Sequence, residues 1–350
     1  MKDDKLKIGI TQGDINGISY EIIIKTLMDT RIMDLCTPVV YGSAKVAAYH
    51  RKALNIENFS LNIIGEADKA NPKRPNVINC LDDNVRVELG KSTYLAGQAS
   101  YMSLERAVKD LKNGEIDALV TAPINKDNIQ SEDFQFPGHT EYLAQHFPSD
   151  DVLMLMVSDL LKVGVVTGHI PLKEVSSALS QDKIIQKLRT LNHTLIQDFR
   201  IRKPKIAVFG LNPHASDGGV IGNEENDIIL PAIQRAKEEN ILAFGPYPAD
   251  GFFGTANIQK FDAILAMYHD QGLAPFKALA FNEGVNYTAG LDIVRTSPAH
   301  GTAYELAGSG DASPESFRKA LFLAVDIVKR RKEYKEISAD PLETNDKSDI

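Results

Sequence analysis

The stretch KVGVVTGHIPL, Lys162 to Leu172, carries a Val-rich run that stops at Gly168 and delivers His169 into a proline-bearing loop. Apolar runs of four to eight residues, rich in Val and Ile, suit strands buried on both faces. The pattern recurs in KIAVFGLNPHA (205–215), which ends in His214, and in AILAMYHD (263–270), which ends in His269. Further runs of this kind are KIGIT from Lys7, PVVYG from Pro38, LNIIG from Leu61, DALVTAP from Asp117 and VLMLMVS from Val152. Between them lie helix-period segments: 98–111 (Ala99, Met102, Ala107 and Leu111), 183–199, 226–239 and 313–331. Such alternation predicts an α/β fold with a largely parallel sheet. Ligands of open α/β sheets bind beyond the carboxyl ends of the strands. Three imidazoles arriving at one rim would therefore make a divalent-metal site with positions open to substrate.

The composition narrows the function. A net charge of −8 excludes a generally basic nucleic-acid-binding face. Two cysteines, Cys36 and Cys80, are too few for a disulfide framework or a cysteine metal site, and read as buried thiols of a reducing compartment. The start, MKDDKLKIGIT, leads directly into a strand with no apolar leader. No run approaches the roughly 18 apolar residues of a membrane span. A cytoplasmic location is expected. A chain of 350 residues accommodates two domains. The expected division is 1–145 plus about 280–330 as the first, about 146–279 as the second with the histidine loops, and 331–350 as a polar tail. The tail, charged from Lys329 onward, is expected to fray.

Other segments bear chemistry. TQGDINGISYE (11–21) turns from a strand into a helix near Ser19; its free N–H groups suit an anion, although an ordinary βα loop reads the same way. It lacks the G-x-G-x-x-G spacing. FPGHTE sets His139 and Thr140 where they bind substrate oxygens or relay a proton, or else Thr140 caps a helix. Glu141 needs no role beyond the first helical turn. In LNPHASDGGVIGNEE, glycines at 218, 219 and 222 let backbone approach a ligand, while Asn212 and Asp217 suit the orientation of an imidazole. Asp270, beside His269, ligates a metal or orients its ligand. Lys277, Asn286 and Arg295 follow in order as an anion pocket, with Arg295 offering a bidentate fork. His300 and Thr302 read as a helix start, and His50, His146 and His193 as surface groups.

Assembled, these motifs resemble the 4-hydroxythreonine-4-phosphate dehydrogenase family of vitamin B6 (pyridoxine) biosynthesis. The resemblance runs from residue 7 to about 330 through TQGD..GI..E, FPGHTEYLA, HIPL, LNPHA..GG..G.EE, YHDQGL.P.K, VN.T.GL and RTSP.HGTA. It implies two α/β/α domains of the isocitrate and isopropylmalate dehydrogenase type, with a cleft between them, and a homodimer whose active site draws on both subunits. It also implies that His169, His214 and His269 bind one divalent cation (Zn, Mg, Co or Mn), and that His139, Thr140, Lys277, Asn286 and Arg295 bind substrate. Lys277, His139 and Asp270 are the expected catalytic groups. The implied reaction oxidises 4-phosphooxy-L-threonine with NAD or NADP, and decarboxylation then gives 3-amino-2-oxopropyl phosphate. The chain departs from the family pattern in GDINGISYE, in PADGFFG around Asp250, and at Ala299, where Asp is frequent. Alternatives are a D-threonate or D-erythronate 4-phosphate dehydrogenase, a metal-dependent hydrolase, and a non-catalytic phosphometabolite-binding protein.

Overall fold

The structure, a computed structural model, describes residues 5–82, 85–147, 149 and 151–339. Twelve strands form one sheet: β1 (Lys7–Thr11), β2 (Thr37–Gly42), β3 (Asn62–Ile64), β4 (Asn76–Asn79), β5 (Ala118–Thr121), β6 (Leu153–Val157), β7 (Lys162–Thr167), β8 (Lys205–Phe209), β9 (Leu242–Tyr247), β10 (Ala263–Tyr268), β11 (Val285–Ala289) and β12 (Arg295–Pro298). Their order is β3-β4-β2-β1-β5-β12-β11-β6-β7-β10-β8-β9. All eight strands expected from the sequence are present. The four beyond that expectation are short (β4, β12) or carry polar residues that mask the pattern (β9, β11).

The sheet is mixed. β12–β11, β11–β6 and β6–β7 pair antiparallel, and the other pairings are parallel. Three reversals in a row make β7, β8, β9 and β10 run opposite to β1, β2, β5 and β12. The carboxyl ends of the two halves therefore lie on opposite edges, and the expectation of a single rim holds only within each half.

Alternation along the central strands sorts side chains between two faces. On one face Leu153, Leu155, Val157, Val285, Tyr287 and Ala289 join a core that crosses the whole sheet. Helices 19–27, 181–197, 230–238 and 315–338 supply its other layer. The opposite face divides into two cores. One packs Val39, Tyr41 and Leu119 under helix 94–112. The other packs Val163, Val165 and Ala266 under Leu273 and Phe276 of helix 269–279. Between the two, β12, β11 and β6 are left with a partly uncovered face.

The C-terminal segment corrects the expected tail. Helix Glu315–Ser338 runs on through the charged stretch that begins at Lys329. Arg331 reaches inward: Nε meets Asp198 Oδ1 at 2.7 Å, and Nη2 donates to the Tyr287 hydroxyl at 2.9 Å. Residues 340–350 lie outside the described residues. Among the described residues no helix is long and apolar enough to cross a membrane.

Candidate active site

The uncovered face is the floor of a cavity of about 260 Å³. Register explains which side chains form it. Asn286 stands between Met156 and Ser297 in neighbouring strands, and Thr288 is beside Met154. Met154, Met156, Asn286, Arg295 and Ser297 thus share one face and line the cavity. One wall is the segment after β5, with Ala122, Pro123 and Lys126. A second is the first turn of helix His139–His146, where His139, Thr140 and Glu141 all line the space. Thr140 does not cap this helix; Gly138 precedes it. Opposite, His269, Leu273 and Lys277 stand four residues apart on one helix face and project together. His169, after β7, Pro298, at the end of β12, and residues 299–301 beyond it complete the lining.

The floor carries a buried cation. Arg295 is 3% exposed; its Nε and Nη2 donate to Thr121 Oγ1 at 3.0 and 2.6 Å, and Nη1 to Thr288 Oγ1 at 3.1 Å. Among the described residues no carboxylate is a hydrogen-bond partner of Arg295. Burial draws its pKa down to about 10, against a small opposing pull from Glu141. A buried charge left unpaired is costly unless a ligand supplies the partner. Three buried polar atoms here also lack partners: His139 Nε2, Asn286 Oδ1 and His300 Nε2. Burial holds His139 well below the ordinary histidine pKa, helped by Arg295 and Lys126. His300 is lowered too, by burial first. Both shifts favour the neutral imidazole.

The sequence-predicted metal ligands come together only in part. The His169 and His269 rings lie 5.5 Å apart, centroid to centroid. Asp270 Oδ1 is 2.6 Å from His269 Nδ1; it does not line the cavity, and by holding that nitrogen it leaves Nε2 as the free lone pair. His169 has Lys126 Nζ at 3.4 Å from Nε2 and Glu141 Oε1 at 3.8 Å from Nδ1. His214 is exposed on a loop after β8 and does not line the cavity. Among the described residues no three His, Cys, Asp or Glu side chains are grouped to hold a metal.

The first turn serves the site from behind. Asp14 is fully buried and accepts from Asn16 N–H, Asn128 Nδ2 and the Tyr304 hydroxyl at 2.9, 2.9 and 2.7 Å. Gly13 has φ +63°, and a Cβ there would meet Pro123 O at 2.4 Å. The turn therefore props the segment after β5; it does not line the cavity, and the ordinary-loop reading is the one realised.

The model of the pyridoxal phosphate biosynthetic protein PdxA matches residues 34–324. The 4-hydroxythreonine-4-phosphate dehydrogenase of Bacteroides thetaiotaomicron is 52% identical over 98% of this chain and 94% of its own. The chain belongs to the PdxA family. A putative D-threonate 4-phosphate dehydrogenase of Oceanobacillus iheyensis is 37% identical over 92% of this chain and 97% of its own. The solved 4-hydroxythreonine-4-phosphate dehydrogenase of Klebsiella pneumoniae superposes with TM-score 0.80 at 33% identity, covering 94% of this chain and 99% of that one. Isocitrate dehydrogenase from Methylococcus capsulatus shares the fold, with TM-score 0.50 at 13% identity over 95% of this chain and 89% of that one.

Within this PdxA-family site, sequence reasoning misses Lys126, Glu141, Ser297 and His300. Lys126 follows β5 and His300 follows β12, just as the metal-candidate histidines follow their strands, so the same rule finds both. Glu141 reads from sequence as a helix-turn residue, yet its carboxylate lines the cavity; its pKa is lowered, first by the His169 side chain. His50, which reads as a surface group, is 2% exposed, with Nε2 2.7 Å from Ile15 O and its ring stacked on Tyr20.

Proposed function

We propose that this cavity oxidises the C3 hydroxyl of 4-phosphooxy-L-threonine, and that the β-keto acid so formed loses CO₂ to leave 3-amino-2-oxopropyl phosphate. The chain is a dehydrogenase of the PdxA family, acting in pyridoxal phosphate biosynthesis. The observation that carries the reading is Arg295: a buried guanidinium, unpaired by any carboxylate, on the floor of a cavity with orphaned acceptors.

A doubly anionic substrate supplies the partner Arg295 lacks, and its hydroxyl and amino groups supply donors for the orphaned acceptors. Arg295 and Lys277 hold its phosphate and carboxylate, and Thr140 and Asn286 complete their hydrogen bonds. His139, kept neutral by burial, has an unpartnered Nε2 and takes the hydroxyl proton. Lys277 returns a proton to the carbon that CO₂ leaves. Asp270 acts through His269, fixing which ring nitrogen faces the cavity. Nicotinamide, as NAD or NADP, supplies the hydride acceptor when bound. A divalent cation (Zn, Mg, Co or Mn) would be held by His169 and His269, joined by His214 of a second copy, and supplies Lewis acidity. The paired rings and the oriented His269 fit that role, and His214, exposed away from its own cavity, fits presentation to another copy. In this homodimer the two cores beside the cavity act as separate domains, 1–145 with 280–330 and 146–279. The free thiols Cys36 and Cys80 suit a cytoplasmic setting.

The similarity to the Oceanobacillus protein favours D-threonate 4-phosphate as a second reading. That substrate keeps the hydroxyl, carboxylate and phosphate, and differs in the group on C2. The test follows nicotinamide reduction with NAD⁺, a divalent metal and each substrate in turn. Turnover of 4-phosphooxy-L-threonine, lost on chelation, is expected. Turnover of the threonate alone transfers the protein to the second reading, and phosphate release without nucleotide would mark a hydrolase.

A further inference from the structure

The loop that carries His214 is built in an unusual way. His214, Ala215, Ser216, Asp217 and Gly218 all have positive φ, between +47° and +69°. Four of these five are L-residues with a Cβ, for which a left-handed run is disfavoured. Such a run persists only where its surroundings fix it. Beside the start of this run lies Glu225, which is 1% exposed. Its Oε1 accepts from the backbone N–H groups of Leu211 and Asn212, both at 2.7 Å. Its Oε2 accepts from Asn212 Nδ2 at 2.9 Å. The Asn212 carbonyl in turn accepts from Ala215 N–H at 3.1 Å, inside the left-handed run.

Two details tighten the arrangement. Glu225 opens a single π-turn, Glu225–Ile229, at the start of the following helix, a local widening often found at functional sites. A Cβ on Gly210 would lie 2.9 Å from Glu225 Oε1, so glycine leaves room for the carboxylate. Glu224 beside it accepts from Asn212 Nδ2 at 2.8 Å and from Ser176 Oγ at 2.6 Å, tying the loop to the segment after His169. Among the described residues no cation lies in salt-bridge range of Glu225. Its hydrogen-bond partners among the described residues are N–H groups, an arrangement that holds backbone in place.

We infer that Glu225 is a positioning residue for His214: its buried carboxylate pins the left-handed loop that presents this imidazole to a metal ion. The inference deepens the reading above and rests on its assignment of His214 as a ligand. Supporting groups that orient a metal ligand typically contribute 10–100-fold to affinity.

The test titrates Co²⁺ into the metal-free full-length protein and follows the visible absorbance of histidine-bound cobalt. Wild type is compared with His214→Ala, Glu225→Ala and Glu225→Gln, alongside amide exchange across 210–222. His214→Ala is expected to weaken cobalt binding and change the spectrum. Glu225→Ala is expected to weaken it about 10–100-fold, with faster exchange at 211–219 and unchanged exchange in β10. Glu225→Gln keeps one acceptor for the two backbone N–H groups, folds if the alanine variant does not, and should lie between. Wild-type affinity in both Glu225 variants, with His214→Ala impaired, overturns the positioning role. Wild-type affinity in His214→Ala instead overturns the ligand assignment, and the inference with it.

Discussion

Arg295 carries the proposed function at a cost to stability. Its charge is buried among threonine hydroxyls, and its pKa of about 10 lies below the ordinary 12.5 because the folded state disfavours the cation. Replacing it with a neutral side chain of similar length relieves that cost. Arg295→Met is therefore expected to lower kcat/KM by roughly 100-fold while the melting temperature stays level or rises. Steady-state kinetics and a thermal melt check both halves; a large fall in stability would show that the guanidinium is held for the fold. His50 carries a pH effect of defined sign. Its pKa falls from 6.5 to about 4 in the folded chain, mainly through burial. Above pH 6.5 it is neutral folded or unfolded and contributes nothing. Below 6.5 the unfolded chain gains the proton first, so stability is lost as pH falls toward 4. Between pH 7 and 5 this amounts to about 2 kcal/mol, and His50→Gln should flatten that part of the urea-midpoint profile. Its burial could not be read from sequence, because a histidine on a short amphipathic helix looks the same whether it faces water or Tyr20.

At the level of elements, the strands with Val and Ile runs were legible because both their faces are buried. β11 and β12 were not: on the cavity side of the sheet they hold Asn286, Thr288, Arg295 and Ser297, and these polar residues break the apolar pattern. The same substitution of polar for apolar residues made Lys277, Asn286 and Arg295 readable as a binding set before any strand could be assigned to two of them. The C-terminal helix failed in the other direction. Its charged stretch looked solvated, but Arg331 pairs with Asp198, which is 1% exposed. Arg331→Ala leaves that buried carboxylate without its cation and should cost about 3–5 kcal/mol in chemical denaturation, whereas Lys335→Ala, on the exposed side, should cost less than about 0.5 kcal/mol. A cost for Arg331→Ala as small as that expected of Lys335→Ala would mean that the helix end is dispensable.

Over the whole molecule, the decisive feature is the triple reversal in the middle of the sheet. It exposes one face of β12, β11 and β6 between two cores, and no local pattern encodes it, since strand direction depends on connections far apart in the chain. His169 and His269 line the cavity while His214, carried by a strand of the same direction, does not; the proposed function has a second copy supply it. That sharing is tested most directly by mixing two inactive variants, His169→Ala and His214→Ala, and following nicotinamide reduction with 4-phosphooxy-L-threonine. If each cavity takes His214 from its neighbour, a mixed dimer regains one intact site, and random exchange restores about a quarter of wild-type activity. If the mixture stays as inactive as its parts while wild-type protein carried through the same exchange remains active, each chain holds its own complete site and the shared-cavity account is wrong.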